Sequence, residues 1–135
     1  MRLSDREAGG RRLLLVEEDP HIIDELRDLF ASRLFECEVA LSVETALQIL
    51  NERRMDCIVI DAAVDSIPSS AVPSLIKQLK EMDEEMHIVV FNGISRKATQ
   101  RKMRRLGADG YLSRKSDLPA VARSVRRVLG MEEEE

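Results

Sequence analysis

At 135 residues with 44% hydrophobic positions, the chain suits one domain built around one core. Aromatics are only 3%, with no Trp and one Tyr, which argues against base stacking as a main activity. No apolar run is long enough to span a bilayer, and the opening MRLSDREAGGRR lacks the apolar run of a signal peptide, so a cytoplasmic protein with no membrane partner is expected. The net charge of −4 conceals an asymmetry: residues 96–131 hold eleven Lys and Arg against Asp109 and Asp117, whereas residues 1–95 carry ten basic and nineteen acidic residues. Such a field concerns association and solubility more than fold.

Residues 1–10 are polar and without periodicity and read as disordered; residues 11–130 read as the domain and 131–135 as an acidic tail. The first strand, Arg12 to Val16, stops at Glu17-Glu18-Asp19, and Pro20 opens a helix at a position that needs no donor. Ile22, Ile23, Leu26, Phe30 and Leu34 recur at helical spacing and predict one buried face. Glu38 to Leu41 is a short second strand, after which Ser42 can cap a helix that turns Val43, Ala46, Leu47 and Leu50 inward. The segment 56–61, DCIVID, is apolar at every position from Cys57 to Ile60 and ends at Asp61. A short run apolar on both faces suits a strand covered by helices on both sides. A helix from about Ala71 to Met82, a strand from His87 to Phe91 halting at Asn92-Gly93, and a basic helix from Ser95 to Leu106 stopped by Gly107 follow. Gly110 to Ser113 is a brief fifth strand, and Ser116 is expected to cap the last helix. Cys37 and Cys57 stand in no metal-like spacing, and Cys57 reads as a core residue.

Five strands each followed by a helix predict an α/β fold: a five-stranded doubly wound parallel sheet, flavodoxin-like order 2-1-3-4-5, with helices on both faces. In that order strands one and three are neighbours, so Asp61 meets the acids that follow strand one at the switch point. Clustered carboxylates repel unless a cation joins them, and hard oxygen ligands suit Mg²⁺.

At this point the sequence resembles the receiver domain of two-component response regulators, over essentially residues 11–130. The resemblance rests on LLLVEEDP after the first strand, DCIVID on the third, and GADGYLS into the fifth. It implies that Asp61 accepts a phosphoryl group from a sensor histidine kinase or phosphotransfer protein. Glu17, Glu18 and Asp61 would be the Mg²⁺ side, Asn92 and Arg114 the phosphoryl-binding positions, and Tyr111 the switch aromatic. A carboxylate can attack phosphorus only where the phosphoryl oxygens' charge is offset, by a metal on one side and a cation on the other. Glu18 stands where the family has Asp, Asn92 where it has Ser or Thr, Arg114 where it has Lys, and Asp65 where it has Pro. Two readings follow, a working but atypical receiver and a degenerate receiver acting as a phosphorylation-independent interaction module.

In receivers, the face of helix four, strand five and helix five carries the signal onward. Here that face would hold Arg101, Arg104, Arg105, Arg123, Arg126 and Arg127, which points to an acidic protein partner or self-association. Direct nucleic-acid binding is disfavoured because no aromatic or helix-turn-helix pattern accompanies the charge. A flavodoxin-like small-molecule binder or enzyme is the remaining reading, but three acids follow strand one where a phosphate loop would need glycines.

Overall fold

The computed structural model describes residues 10–63, 67–114 and 116–131. The proposed disorder at the amino terminus, the acidic tail and Asp65 therefore lie outside the described residues, apart from Gly10 and Met131. The elements are β1 (Arg11–Val16), α1 (Pro20–Leu29), β2 (Phe35–Ala40), α2 (Val43–Glu52), β3 (Cys57–Asp61), a 3₁₀ turn (Ser69–Ala71), α3 (Val72–Met82), β4 (His87–Gly93), α4 (Lys97–Leu106), β5 (Gly110–Ser113) and α5 (Leu118–Val128). The strands form one parallel sheet in the order β2-β1-β3-β4-β5.

Side chains alternate across a strand, so fully apolar strands feed two cores. Leu14, Ile58, Ile60, Ile88 and Val90 face Ile49, Ile76, Leu79 and Met103 from α2, α3 and α4. Leu13, Leu15, Cys57, Val59, Val89 and Phe91 face Leu26, Phe30, Val121 and Val125 of α1, α5 and the turn after α1. Burying each large aliphatic side chain contributes roughly 1.5–3 kcal/mol, which holds the ends of β1, β3 and β4 level with one another.

Several boundaries differ from the sequence expectation. Helix α1 ends at Leu29, and Leu34 is 55% exposed instead of completing the buried face. Strand β2 begins at Phe35, because it pairs in register with all six residues of β1 from Arg11↔Phe35 to Val16↔Ala40; Leu41 falls past its end and is 60% exposed. Strand β4 runs on to Gly93 through an irregularity, with Asn92 at φ 62°, an uncommon left-handed conformation for a residue with a Cβ.

The cap of α5 is Asp117, whose Oδ1 accepts from the Ala120 N–H at 3.0 Å; Ser116, the expected cap, precedes it. Removing this acceptor leaves an orphan N–H in the first turn. Asp117→Ala should therefore cost about 1 kcal/mol in denaturant unfolding, with Ser116→Ala near neutral. Equal losses in the two variants would show that the cap is misassigned.

Candidate functional site

The carboxyl ends of β1, β3 and β4 converge on Asp61. Its neighbour Ala62 continues the ladder by donating to Phe91 O at 2.9 Å, which fixes the last residue of β3. Asp61 is only 4% exposed, and its Oδ1 accepts from the Ala63 N–H at 2.8 Å and from Asn92 Nδ2 at 3.1 Å. The left-handed turn at Asn92 brings its amide onto Asp61.

The three acids after β1 divide. Glu17 is held by its N–H to Ala40 O at 3.1 Å and is 1% exposed. Its Oε2 accepts from the N–H groups of Glu18 and Asp19 at 3.0 and 3.1 Å, while the buried Oε1 has no hydrogen-bond partner among the described residues. Burial, and next the carboxyl group of Asp61 beside it, push the Glu17 carboxyl up to about 8, although the two N–H donors pull the other way. Glu18 is exposed, and Asp19 caps α1 by accepting from the His21 N–H at 2.9 Å. The predicted meeting of β1 acids with Asp61 is thus made by Glu17. Among the described residues no group of three or more His, Cys, Asp or Glu side chains is placed to hold a metal ion. Glu17 and Asp61 are the two carboxylates that come together, and the orphaned oxygen of Glu17 suits a proton or a cation.

Beside Asp61 opens a cavity of about 420 Å³ between β4, β5 and the start of α3, lined among others by Ala63, Pro68, Asn92, Ile94, Tyr111 and Arg114. Arg114 is exposed; its N–H donates to Gly93 O at 3.2 Å, and no ion pair joins its guanidinium to Asp61 among the described residues. Tyr111 is buried with its Oη donating to Ile94 O at 3.3 Å, and burial pushes the phenol above its ordinary value. The phenol ring lies against Gly93, where a Cβ would come within 2.5 Å of Tyr111 Cζ. Sequence reasoning missed that contact, for which Gly93 itself was the only available signal. A larger cavity, about 550 Å³, lies at the opposite end of the strands among Leu50, Met55, Met82 and Met86, where the carboxylates of Asp83 and Glu85 are paired with Arg54.

A model of the response regulator receiver domain matches residues 13–126. The chain belongs to the response regulator receiver domain family. It is 31% identical over 109 residues to the photosynthetic apparatus regulatory protein RegA of Rhodobacter capsulatus, covering 81% of this chain but 58% of that protein. It is 23% identical over 123 residues to the chemotaxis protein CheY of Halobacterium salinarum, covering 89% of this chain and 98% of that one. Among solved structures, a response regulator from Thermotoga maritima superposes with a TM-score of 0.76 at 15% identity, over 90% of this chain and 98% of that one. At such identity the likeness concerns the fold, which is the doubly wound 2-1-3-4-5 sheet expected from the sequence. This receiver domain is a signalling domain, not a classical enzyme. Among the described residues no helix is long and apolar enough to cross a membrane.

Proposed function

We propose that this receiver domain takes a phosphoryl group onto Asp61 from the phosphohistidine of a sensor kinase or phosphotransfer protein and signals through the face of α4, β5 and α5. The observation that carries the reading is Asp61 itself, set beside Glu17 at the end of β3 with its Oδ1 held by two N–H donors. An Asp61 oxygen attacks phosphorus while the P–N bond breaks and its electron pair stays on the imidazole nitrogen. Glu17 and Asp61 would hold Mg²⁺, with waters and phosphoryl oxygens as further ligands, and the ion would supply positive charge against those oxygens. Asn92 and Ala63 orient the nucleophile. Arg114, lining the cavity, would turn inward to meet the phosphoryl group, which its planar fork suits.

Incubation with acetyl phosphate and Mg²⁺ should add one phosphoryl group by intact mass, and Asp61→Asn should abolish the gain. A folded wild-type protein that shows none would remove this reading. The product should persist for minutes or longer, because Ala63 and Ile94 beside the cavity carry no side-chain group to orient an attacking water. Decay within seconds would contradict that role.

A second reading, a phosphorylation-independent interaction module, is favoured by the disposition of Arg114 and Asn92. The Asn92 amide already donates to Asp61, and among the described residues Arg114 makes no ion pair with it. Absence of both phosphorylation and Mg²⁺ binding would select this reading.

A further inference from the structure

Three of the chain's six methionines meet at the end of the sheet away from Asp61. Met55 lies just before β3 and Met86 just before β4, and the His87 N–H donating to Asp56 O at 3.0 Å sets these two lead-in segments side by side. Met82 ends α3, and a tight turn, closed by the Met86 N–H on Asp83 O at 3.2 Å, returns the chain beside it. All three line the cavity of about 550 Å³, together with Leu50. Met55 and Met86 are buried, whereas Met82 is 39% exposed, which leaves a large apolar side chain against water.

The rest of the lining is charged, and the charges do not cancel. Arg53 is matched from outside the cavity by Glu38 and Glu52, the latter at 3.1 Å. That leaves one guanidinium, Arg54, against the two carboxylates of the lining, Asp83 and Glu85, each at 3.5 Å. Asp83 Oδ1 also accepts the Glu85 N–H at 3.0 Å, which fixes the two acids next to each other. Lys80, near the same helix end, gives its ammonium to the main-chain oxygens of Met86 and Glu84 at 2.8 and 3.3 Å and faces Asp109 at 3.7 Å. The cavity therefore joins an apolar thioether surface to a mouth with an excess of negative charge.

We propose that this cavity binds a small amphipathic organic cation, a primary amine carrying an apolar body, with the body on Met55, Met82 and Met86 and the ammonium between Asp83 and Glu85. The volume falls within the range of roughly 300–1,000 Å³ found for small-molecule pockets. Methionine suits such a body, because an unbranched, polarizable thioether adapts to irregular shapes and makes favourable contacts with aromatic rings. An ammonium brings three donors to two carboxylates that Arg54 holds only at 3.5 Å, and hydrogen bonds between charged groups are the stronger kind. An anion of the same shape would add a third negative charge to the mouth, and a hard metal ion, which prefers oxygen, would leave the thioethers unused. The site lies at the other end of β3 from Asp61 and does not depend on phosphoryl transfer.

Methyl NMR of the full chain labelled at methionine tests it, with phenylpropylammonium as the probe. Phenylbutanoate, which carries the same apolar body on an anion, and ammonium chloride, which carries no body, are the comparisons. The amine should shift the methyl signals of Met55, Met82 and Met86 to saturation and leave that of Met103, in α4, in place, with affinity falling as salt rises. Phenylbutanoate should bind at least about tenfold more weakly. Asp83→Asn, which keeps an acceptor for the Glu85 N–H, combined with Glu85→Gln at an exposed position, should weaken the amine by about tenfold as well. No saturable shift, shifts centred on Met103, equal binding of amine and anion, undiminished binding by the double variant, or the same shifts with ammonium chloride would each overturn the proposal. Phosphoryl transfer to Asp61 is read separately by mass and does not involve these residues, so either idea can fail without the other.

Discussion

Glu17→Gln should stabilise the metal-free protein at pH 8 by about 3 kcal/mol, read as a rise in melting temperature in the presence of a chelator. The Glu17 carboxyl is raised from 4.5 to about 8 in the folded chain. Between these values the folded state keeps a proton that the unfolded chain releases, so rising pH favours unfolding. The stabilising contribution is complete below pH 4.5 and is lost as pH passes 8. Glutamine keeps the acceptor for the N–H groups of Glu18 and Asp19, adds a donor that can reach Asp61, and cannot ionise. The melting temperature of the parent should therefore fall relative to the variant from pH 5 to pH 8 by roughly ten degrees, at roughly 4 °C per kcal/mol for a domain of this size. Parallel profiles for the two proteins would show that Glu17 does not hold the proton.

Gly93→Ala should destabilise the protein by about 2 kcal/mol, within the range for forcing extra volume into a packed site, and drive Tyr111 outward. The new Cβ would meet Tyr111 Cζ at 2.5 Å and Cε1 at 2.9 Å, and a phenol ring has no flexible end to yield. Ejecting the ring breaks the bond from Oη to Ile94 O and re-exposes a side chain now 7% exposed. Tyr111 is the single Tyr in a chain without Trp, so intrinsic fluorescence reports this residue alone. The phenol should titrate closer to its ordinary value in Gly93→Ala, since the burial that raises it is lost. Because the clash needs both partners, Gly93→Ala combined with Tyr111→Ala should cost less than the sum of the two single changes. Additive losses, with unchanged fluorescence in Gly93→Ala, would mean that the two residues do not meet.

Much of the fold was legible because its signals are local. Apolar runs such as Cys57 to Ile60 and LLLV mark strands covered on both faces, and the recurrence of Leu118, Val121, Val125 and Leu129 marks a helix with one buried side. Parallel pairing and right-handed crossovers then leave few orders, and the adjacency of β1 and β3 that brings Glu17 to Asp61 follows from the order adopted. The limits of β2 were not legible in the same way: Phe35 joins it because six residues of β1 offer a ladder, a property of the partner strand.

Local residue patterns set the alternation of strands and helices, the placing of Asp61 at a strand end and the gathering of cations between residues 96 and 131. Which of these groups meet depends on how the elements pack. Glu17 turns into the site while Glu18 faces out and Asp19 caps α1, because the chain leaves β1 for a helix within three residues. A left-handed backbone at Asn92 brings its amide onto Asp61, and no residue pattern announces that choice. Arg104, Arg123 and Arg127 share a cleft whereas Arg126 stacks on Phe35, since successive residues of a helix point in different directions and only the packed neighbours say what lies in each. Spacing along the chain sets the period of each element; contact between elements depends on sheet order, register and backbone turns that form only when the whole domain closes around its two cores.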